Sequence, residues 1–194
     1  HLHSPAQTDK NRDTKILTIP APGCSTGEEP NTLAILLREY FPELRDWSVR
    51  NLATDINRRS LKAAREGIYS PRSVRQVEPA LLEKYFTRIG RVYAVNPELK
   101  EMVTFSELNL MEECYPSAEN GTRKLDLLLC RNVMIYFQLP TIQAIIERFS
   151  RCLKPGCCLL LGHAERLHDA NERFETLTYD KTACHQLKEE TPAT

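Results

Sequence analysis

The stretch "PAPGCSTGEEPNTLA", Pro20 to Ala34, sets two glycines, small hydroxyl residues and two acids between prolines, and the apolar run Leu33 to Leu37 follows at once. Upstream, "TKILTIP" (14–20) reads as a short strand feeding this turn. Downstream, Pro30 suits the first turn of a helix, with Leu33, Leu36, Leu37 and Tyr40 along one face. A polar, glycine-bearing turn between strand and helix either punctuates a fold or holds a small molecule. Glycines let a ligand approach the backbone, and a helix start offers N–H groups without intrahelical partners. Glu28 and Glu29 at that start would repel phosphate and favour a ligand bearing an ammonium or sulfonium. Equally, two acids there can simply complement the helix macrodipole.

The pattern repeats along the chain. "WSVRNLAT" (47–54) reads as a second strand ending at Asp55, and Asn57 can cap a helix over "RRSLKAARE" that Gly67 stops. "EPALLEKYF" (78–86) predicts a short helix with Pro79 in its first turn. "RVYAV" (91–95) and "EMVTF" (101–105), separated by "NPELK", predict a hairpin, a small β insertion. "KLDLLLC" (124–130) is a buried strand and "LPTIQAIIERFSRCL" (139–153) an amphipathic helix. "KPG" then turns the chain into the strand "CCLLLG" (157–162). "RFETLTY" (173–179) and "TACHQLK" (182–188) flank Asp180–Lys181, the length of a hairpin turn. Strands alternating with helices predict an α/β fold: a mostly parallel sheet with an antiparallel edge hairpin and a small β insertion. Ligands in such sheets bind at the carboxyl ends of the strands.

Bulk composition is consistent with one soluble domain of 194 residues, 41% hydrophobic and 27% charged. Lysine plus arginine equals aspartate plus glutamate at 26 each, so no overall field draws the chain to nucleic acid or membrane. No apolar run approaches the roughly 20 residues needed to cross a bilayer. Seven cysteines without a CxxC pair predict neither a disulfide framework nor a zinc site, hence a reducing, cytoplasmic setting and no metal. Residues 1–13, polar and without an initiator Met, read as a disordered lead-in to an excised domain.

Asp55 adds weight to the ligand reading of the opening turn. A carboxylate ending the second strand is where nucleosides find a partner for ribose hydroxyls, although capping the next helix is a common alternative. A sulfonium nucleoside, S-adenosylmethionine, satisfies both the acids and the sugar partner. After the strand "KLDLLL", "CRNVMIYF" (130–137) would project Arg131 and Asn132 from a third strand end, with Tyr136 close behind.

"GCSTGEEP", "ATDI", "GIYS", "NL" (109–110), "CRNVMIYF", "LKPG" and "GHAERL" occur in this order from about residue 14 to 187. In this the chain resembles the CheR-type chemotaxis receptor methyltransferases. The resemblance implies a Rossmann-like class I methyltransferase domain over 14–190. Its implied activity is transfer of a methyl group from S-adenosylmethionine to glutamate side chains of methyl-accepting chemotaxis receptors, with S-adenosylhomocysteine as co-product. It puts Gly23 and Glu28 around the methionine part, Asp55 on the ribose, and Asn109 and Leu110 near the adenine. Arg131 and Asn132 fall beside the ligand, and Tyr136 near the reacting methyl as the catalytic candidate. Segment 84–105 looks like the family's small β-subdomain, which in some members docks a receptor's C-terminal peptide. The short link "TRIGRVYAV" (87–95) speaks against such tethering.

Three departures stand out. The family's helical N-terminal domain, with its "NxTxFFR"-like segment, is absent; Asn31 stands where the family usually has Tyr; Pro22 and Cys157 replace commoner small residues. They leave a second possibility open, a non-catalytic cofactor-binding or partner-binding module. Six basic residues between Arg58 and Arg75 against the single acid Glu66 form a patch suited to an acidic receptor helix, or a solvated face compensated elsewhere. His163 reads either as facing the pocket or as a packed or hydrogen-bonded histidine; the other histidines have no ligand spacing.

Overall fold

A computed structural model describes residues 16–165, 167, 172–179 and 182–189. The lead-in of residues 1–13, His1, His3, His168 and the Asp180–Lys181 turn lie outside the described residues. The chain divides into two compact units, one spanning Ala21–Asn109 and one combining the chain up to Pro20 with Leu110 onward.

In order, the first stretch runs β1 (Ile16–Pro22), α1 (Glu28–Tyr40), β2 (Ser48–Asp55), α2 (Arg58–Glu66), β3 (Ile68–Tyr69), α3 (Pro79–Tyr85), β4 (Phe86–Ile89), β5 (Val92–Val95), α4 (Pro97–Lys100) and β6 (Val103–Glu107). One sheet has the order β1-β2-β6, with β2 and β6 parallel and Asp55 opposite Glu107. Local chemistry sets the boundaries. The Asn57 side chain accepts from the N–H groups of Arg59 and Ser60, and Gly67 closes α2 in the left-handed conformation.

Two expectations change here. "EMVTF" does not pair with "RVYAV": β6 lies beside β2, and "NPELK" forms α4. The partner of β5 is instead β4, in an antiparallel pair with Ile89 opposite Val92. Gly90, at φ +60, takes the first position of their two-residue loop, where a hairpin needs a positive φ. With β3 these strands form a small sheet of order β3-β5-β4. The buried face of α1 is also rotated from the expected one: Asn31, Ala34, Ile35 and Leu37 are buried, whereas Leu36 and Tyr40 are exposed. Asn31, only 4% exposed, holds a core position that a search for apolar residues passes over.

The other unit contains β7 (Leu125–Cys130), a 3-10 turn (Met134–Tyr136), α5 (Leu139–Cys152), β8 (Leu153–Leu161), β9 (Phe174–Tyr179) and β10 (Thr182–Leu187). Its sheet has the order β7-β8-β10-β9, parallel between β7 and β8 and antiparallel at the β10–β9 edge. α5 buries Ile145, Ile146, Phe149 and Cys152, the helical spacing its sequence predicts. "KPG" is not a turn before a strand. β8 already pairs at Leu153 with Leu125, and Lys154 to Cys157 bulge out before Cys158 meets Leu127. Gly156 supplies the positive φ of 78° that this bulge requires. All seven cysteines are free thiols. No helix among the described residues is long and apolar enough to cross a membrane.

Candidate functional site

Within the unit Ala21–Asn109, the opening stretch folds as a tight left-handed turn between β1 and α1. Gly23, Ser25 and Gly27 take φ of 74°, 49° and 89°. The turn is tied to β2 through the Cys24 N–H, which donates to the Thr54 carbonyl at 3.0 Å. A side chain at Gly27 would be crowded as well as strained. A Cβ there would lie 3.0 Å from the Ala64 Cβ, 3.0 Å from the Tyr69 hydroxyl and 3.1 Å from Phe105 Cζ.

A buried polar bridge closes the turn from behind. The Asn31 amide donates to the Gly27 carbonyl at 2.9 Å and to the Tyr69 hydroxyl at 2.8 Å; that hydroxyl donates to the Thr26 carbonyl at 2.9 Å. Burial, with the Glu28 charge second, raises the Tyr69 phenol well above its ordinary 10, so it stays a donor. Neither residue was a site candidate from sequence, because the contact joins α1 to β3. Cys24 is buried, and desolvation followed by the charge of Asp55 pushes its thiol to about 12; it is not a nucleophile at neutral pH.

Asp55 stands at the end of β2, with one carboxylate oxygen accepting the Ser25 N–H at 2.8 Å and the other the Asn57 N–H at 2.8 Å. It therefore closes the turn and starts the approach to α2 together. An ionised carboxylate offers about four lone-pair sites, so two of them remain for hydroxyl donors. Glu28 is exposed and accepts from the Thr26 hydroxyl at 2.6 Å; Glu29 is half-buried beside it in the first turn of α1. Two acids and a half-used carboxylate suit a ligand with a cation and a diol, next to the left-handed Gly27 that precedes α1. Asn109, half-buried, ends this unit.

Part of the basic patch is already committed. Arg58 forms an ion pair with Glu107 at 2.7 Å, and Arg65 donates to the Phe105 carbonyl at 2.9 Å. Arg59, Lys62, Arg72 and Arg75 are exposed.

The remaining candidates lie in the other unit. Leu110 is buried, and its carbonyl accepts the Tyr115 hydroxyl at 2.8 Å. Arg131 and Asn132 are exposed directly after β7, and Asn132 is left-handed at φ 58. Tyr136 is 80% exposed in the 3-10 turn. His163 is exposed as well, so it is not a packed core histidine.

Sequence inspection missed Glu165, the acid of "GHAERL". Only 8% exposed, its carboxylate accepts four backbone N–H groups: Asn132 and Gly162 on one oxygen, both at 2.7 Å, and Val133 and Met134 on the other at 2.7 and 2.6 Å. A Gly-x-x-Glu spacing after a strand was the available signal, since Glu165 N–H folds back onto the Gly162 carbonyl. Its partners 33 residues earlier could not be read. Among the described residues no cluster of three or more His, Cys, Asp or Glu could hold a metal.

Comparison with known proteins agrees with this arrangement. The chain is 39% identical over 184 residues to a chemotaxis protein methyltransferase of Borreliella burgdorferi, covering 91% of this chain and 63% of that protein. It is 36% identical over 155 residues to a chemotaxis protein methyltransferase of Escherichia coli, covering 77% of this chain and 52% of that protein. The chain thus spans roughly half to two thirds of these two relatives' length. In fold it is similar to the rRNA methyltransferase aviRa of Streptomyces viridochromogenes, with TM-score 0.54, 13% identity, and coverage of 90% of this chain and 77% of that one. The family model "CheR methyltransferase, SAM binding domain" matches residues 2–183, and the chain belongs to that family of S-adenosylmethionine-binding domains.

Proposed function

We propose that this chain is the cofactor-binding, catalytic part of a cytoplasmic methyltransferase that esterifies glutamate side chains of methyl-accepting chemotaxis receptors. The observation that carries the reading is Asp55: its carboxylate closes the glycine turn with two acceptor positions and keeps two for the ribose hydroxyls. Gly23 and Glu28 would hold the methionine part, and Asn109 the adenine edge. Leu110, Arg131 and Asn132 are further ligand contacts by family resemblance, to be tested one by one.

S-adenosylmethionine, when bound, supplies an activated methyl on a sulfonium. What remains for the protein is orientation and exclusion of water, because a glutamate side chain is ionised at neutral pH. No acid–base dyad is needed. The acidic start of α1 stabilises positive charge nearby, and Tyr136 is the candidate for aligning the substrate carboxylate. Exposed Arg72 and Arg75 would steer an acidic receptor helix. Relatives named chemotaxis protein methyltransferases support receptors as the substrate class.

Calorimetry of the full-length protein tests the ligand. S-adenosylhomocysteine binds the wild type, and Asp55→Ala weakens it by at least about tenfold; no binding by the wild type rejects the proposal. Base-labile methyl esters on receptor cytoplasmic fragments test the chemistry. Reversal of Arg72 and Arg75 to Glu slows esterification without changing cofactor affinity. A second reading, a cofactor-binding module that does not turn over, is favoured by the 80% exposure of the Tyr136 side chain, and cofactor binding without ester formation would select it.

A further inference from the structure

Glu165 ties the segment that follows β7 to the end of β8. The segment after β7 bends through a left-handed Asn132 (φ 58) into a right-handed Val133 (φ −116, ψ −43), so successive N–H groups converge on one point. Such a backbone nest is an anion site. Here the anion is the protein's own carboxylate, held by the N–H groups of Asn132, Val133 and Met134 and by Gly162 at the end of β8. Space around it is fitted to that carboxylate: a Cβ at Gly162 would lie 2.6 Å from Glu165 Oε2 and 2.8 Å from Asn132 Oδ1.

We propose that Glu165 is a positioning residue for ligand binding: its carboxylate is the template on which residues 131–134 fold, and it thereby sets the orientation of Arg131 and Asn132. This rests on the proposed ligand roles of those two residues. The chemistry demands an ionised acid. All four neighbours are donors, and a carboxylate matches them with acceptors only. Glutamine would turn an NH2 group toward two N–H groups that already need a partner. Aspartate keeps both oxygens but withdraws them by one methylene.

The test uses the full-length protein with Glu165→Gln and Glu165→Asp, and with Ile145→Ala as a control. Ile145 is fully buried in α5 and outside both candidate sites, so its truncation lowers stability without touching the turn. Glu165→Gln raises the Kd for S-adenosylhomocysteine at least about tenfold at a temperature where the variant is folded. Ile145→Ala, with an equal or larger drop in Tm, leaves that Kd within about twofold. In the ligand-free protein, the amide NMR signals of Asn132, Val133, Met134 and Gly162 move in Glu165→Gln and stay in Ile145→Ala. Equal losses of affinity in both variants, or unmoved amides, overturn the proposal. If Glu165→Gln does not fold, Glu165→Asp shows the same pattern at smaller amplitude or overturns it. A wild-type protein that binds no S-adenosylhomocysteine sinks the methyltransferase reading, and the positioning role with it. A wild type that binds while Glu165→Gln binds equally well sinks only the role of Glu165.

Discussion

Two strand ends in this protein are finished by a carboxylate, and they are finished differently. At the end of β2, Asp55 accepts two backbone N–H groups and remains half-buried. Beyond β7, Glu165 accepts four and is buried. A carboxylate has about four acceptor positions, so the first is a support with capacity to spare and the second is filled. Counting lone pairs thus separates a residue able to meet a ligand from one able only to shape what meets it.

The largest effect that probes this contrast belongs to the glycine turn beside Asp55. Gly27→Ala combines left-handed strain of about 1–2 kcal/mol with crowding of a similar size, about 3 kcal/mol in all. Gly90→Ala, at φ +60 with nothing within 4 Å of its Cβ, meets the strain alone and loses about 1 kcal/mol. Equal urea midpoints for the two variants would show that crowding at Gly27 contributes nothing. Next comes Tyr69→Phe, which strands the Thr26 carbonyl and one Asn31 donor and is expected to lose about 1–3 kcal/mol. Retained stability would mean that the turn holds without its bridge. Asp55→Asn is smaller in stability, about 1 kcal/mol, but raises the Kd for S-adenosylhomocysteine about tenfold. Should it prove as destabilising as Glu165→Gln yet bind ligand normally, lone-pair capacity is the wrong criterion.

The smallest effect involves neither carboxylate. His185 is buried on β10, its Nδ1 3.0 Å from the Thr176 hydroxyl, and burial holds its pKa below the ordinary 6.5. The unfolded chain therefore binds this proton more readily than the folded one. Its contribution to stability is level above pH 6.5 and falls as pH drops from 6.5 toward the folded value, with a slope of at most about 1.4 kcal/mol per unit. His185→Gln removes that component, measurable as a flatter dependence of the urea midpoint between pH 5 and 6.5.

What could be read from the chain follows the same division. Asn57, Gly67 and Pro30 act within a few residues, so the ends of α2 and the start of α1 were legible, as were β2 and, from its apolar run, β7. Asp55 was legible as a strand-end acid, and its half-used carboxylate was not. β4 was hidden because "FTRI" carries no apolar alternation and follows a helix directly. The pairing of β6 with β2 was hidden because parallel partners leave no mark on one another's sequence. Asn31 was noted only as a departure from the family pattern because its partner Tyr69 lies 38 residues on, and Glu165 was missed because three of its four donors lie 31 to 33 residues earlier.

The distance between Asn132 and Glu165 has a consequence for synthesis. A nascent chain that has emerged through α5 already carries every residue of the Gly23–Gly27 turn, Asp55, Asn31 and Tyr69, yet it lacks the acid on which 131–134 is moulded. The ribosome must deliver all of β8 and four residues more before that segment has its counter-charge. A chain severed between Cys152 and Leu153 would keep the Gly23–Gly27 turn and residues 131–134 on one fragment and Glu165 on the other, so that only the second of those segments would await its partner fragment to be shaped.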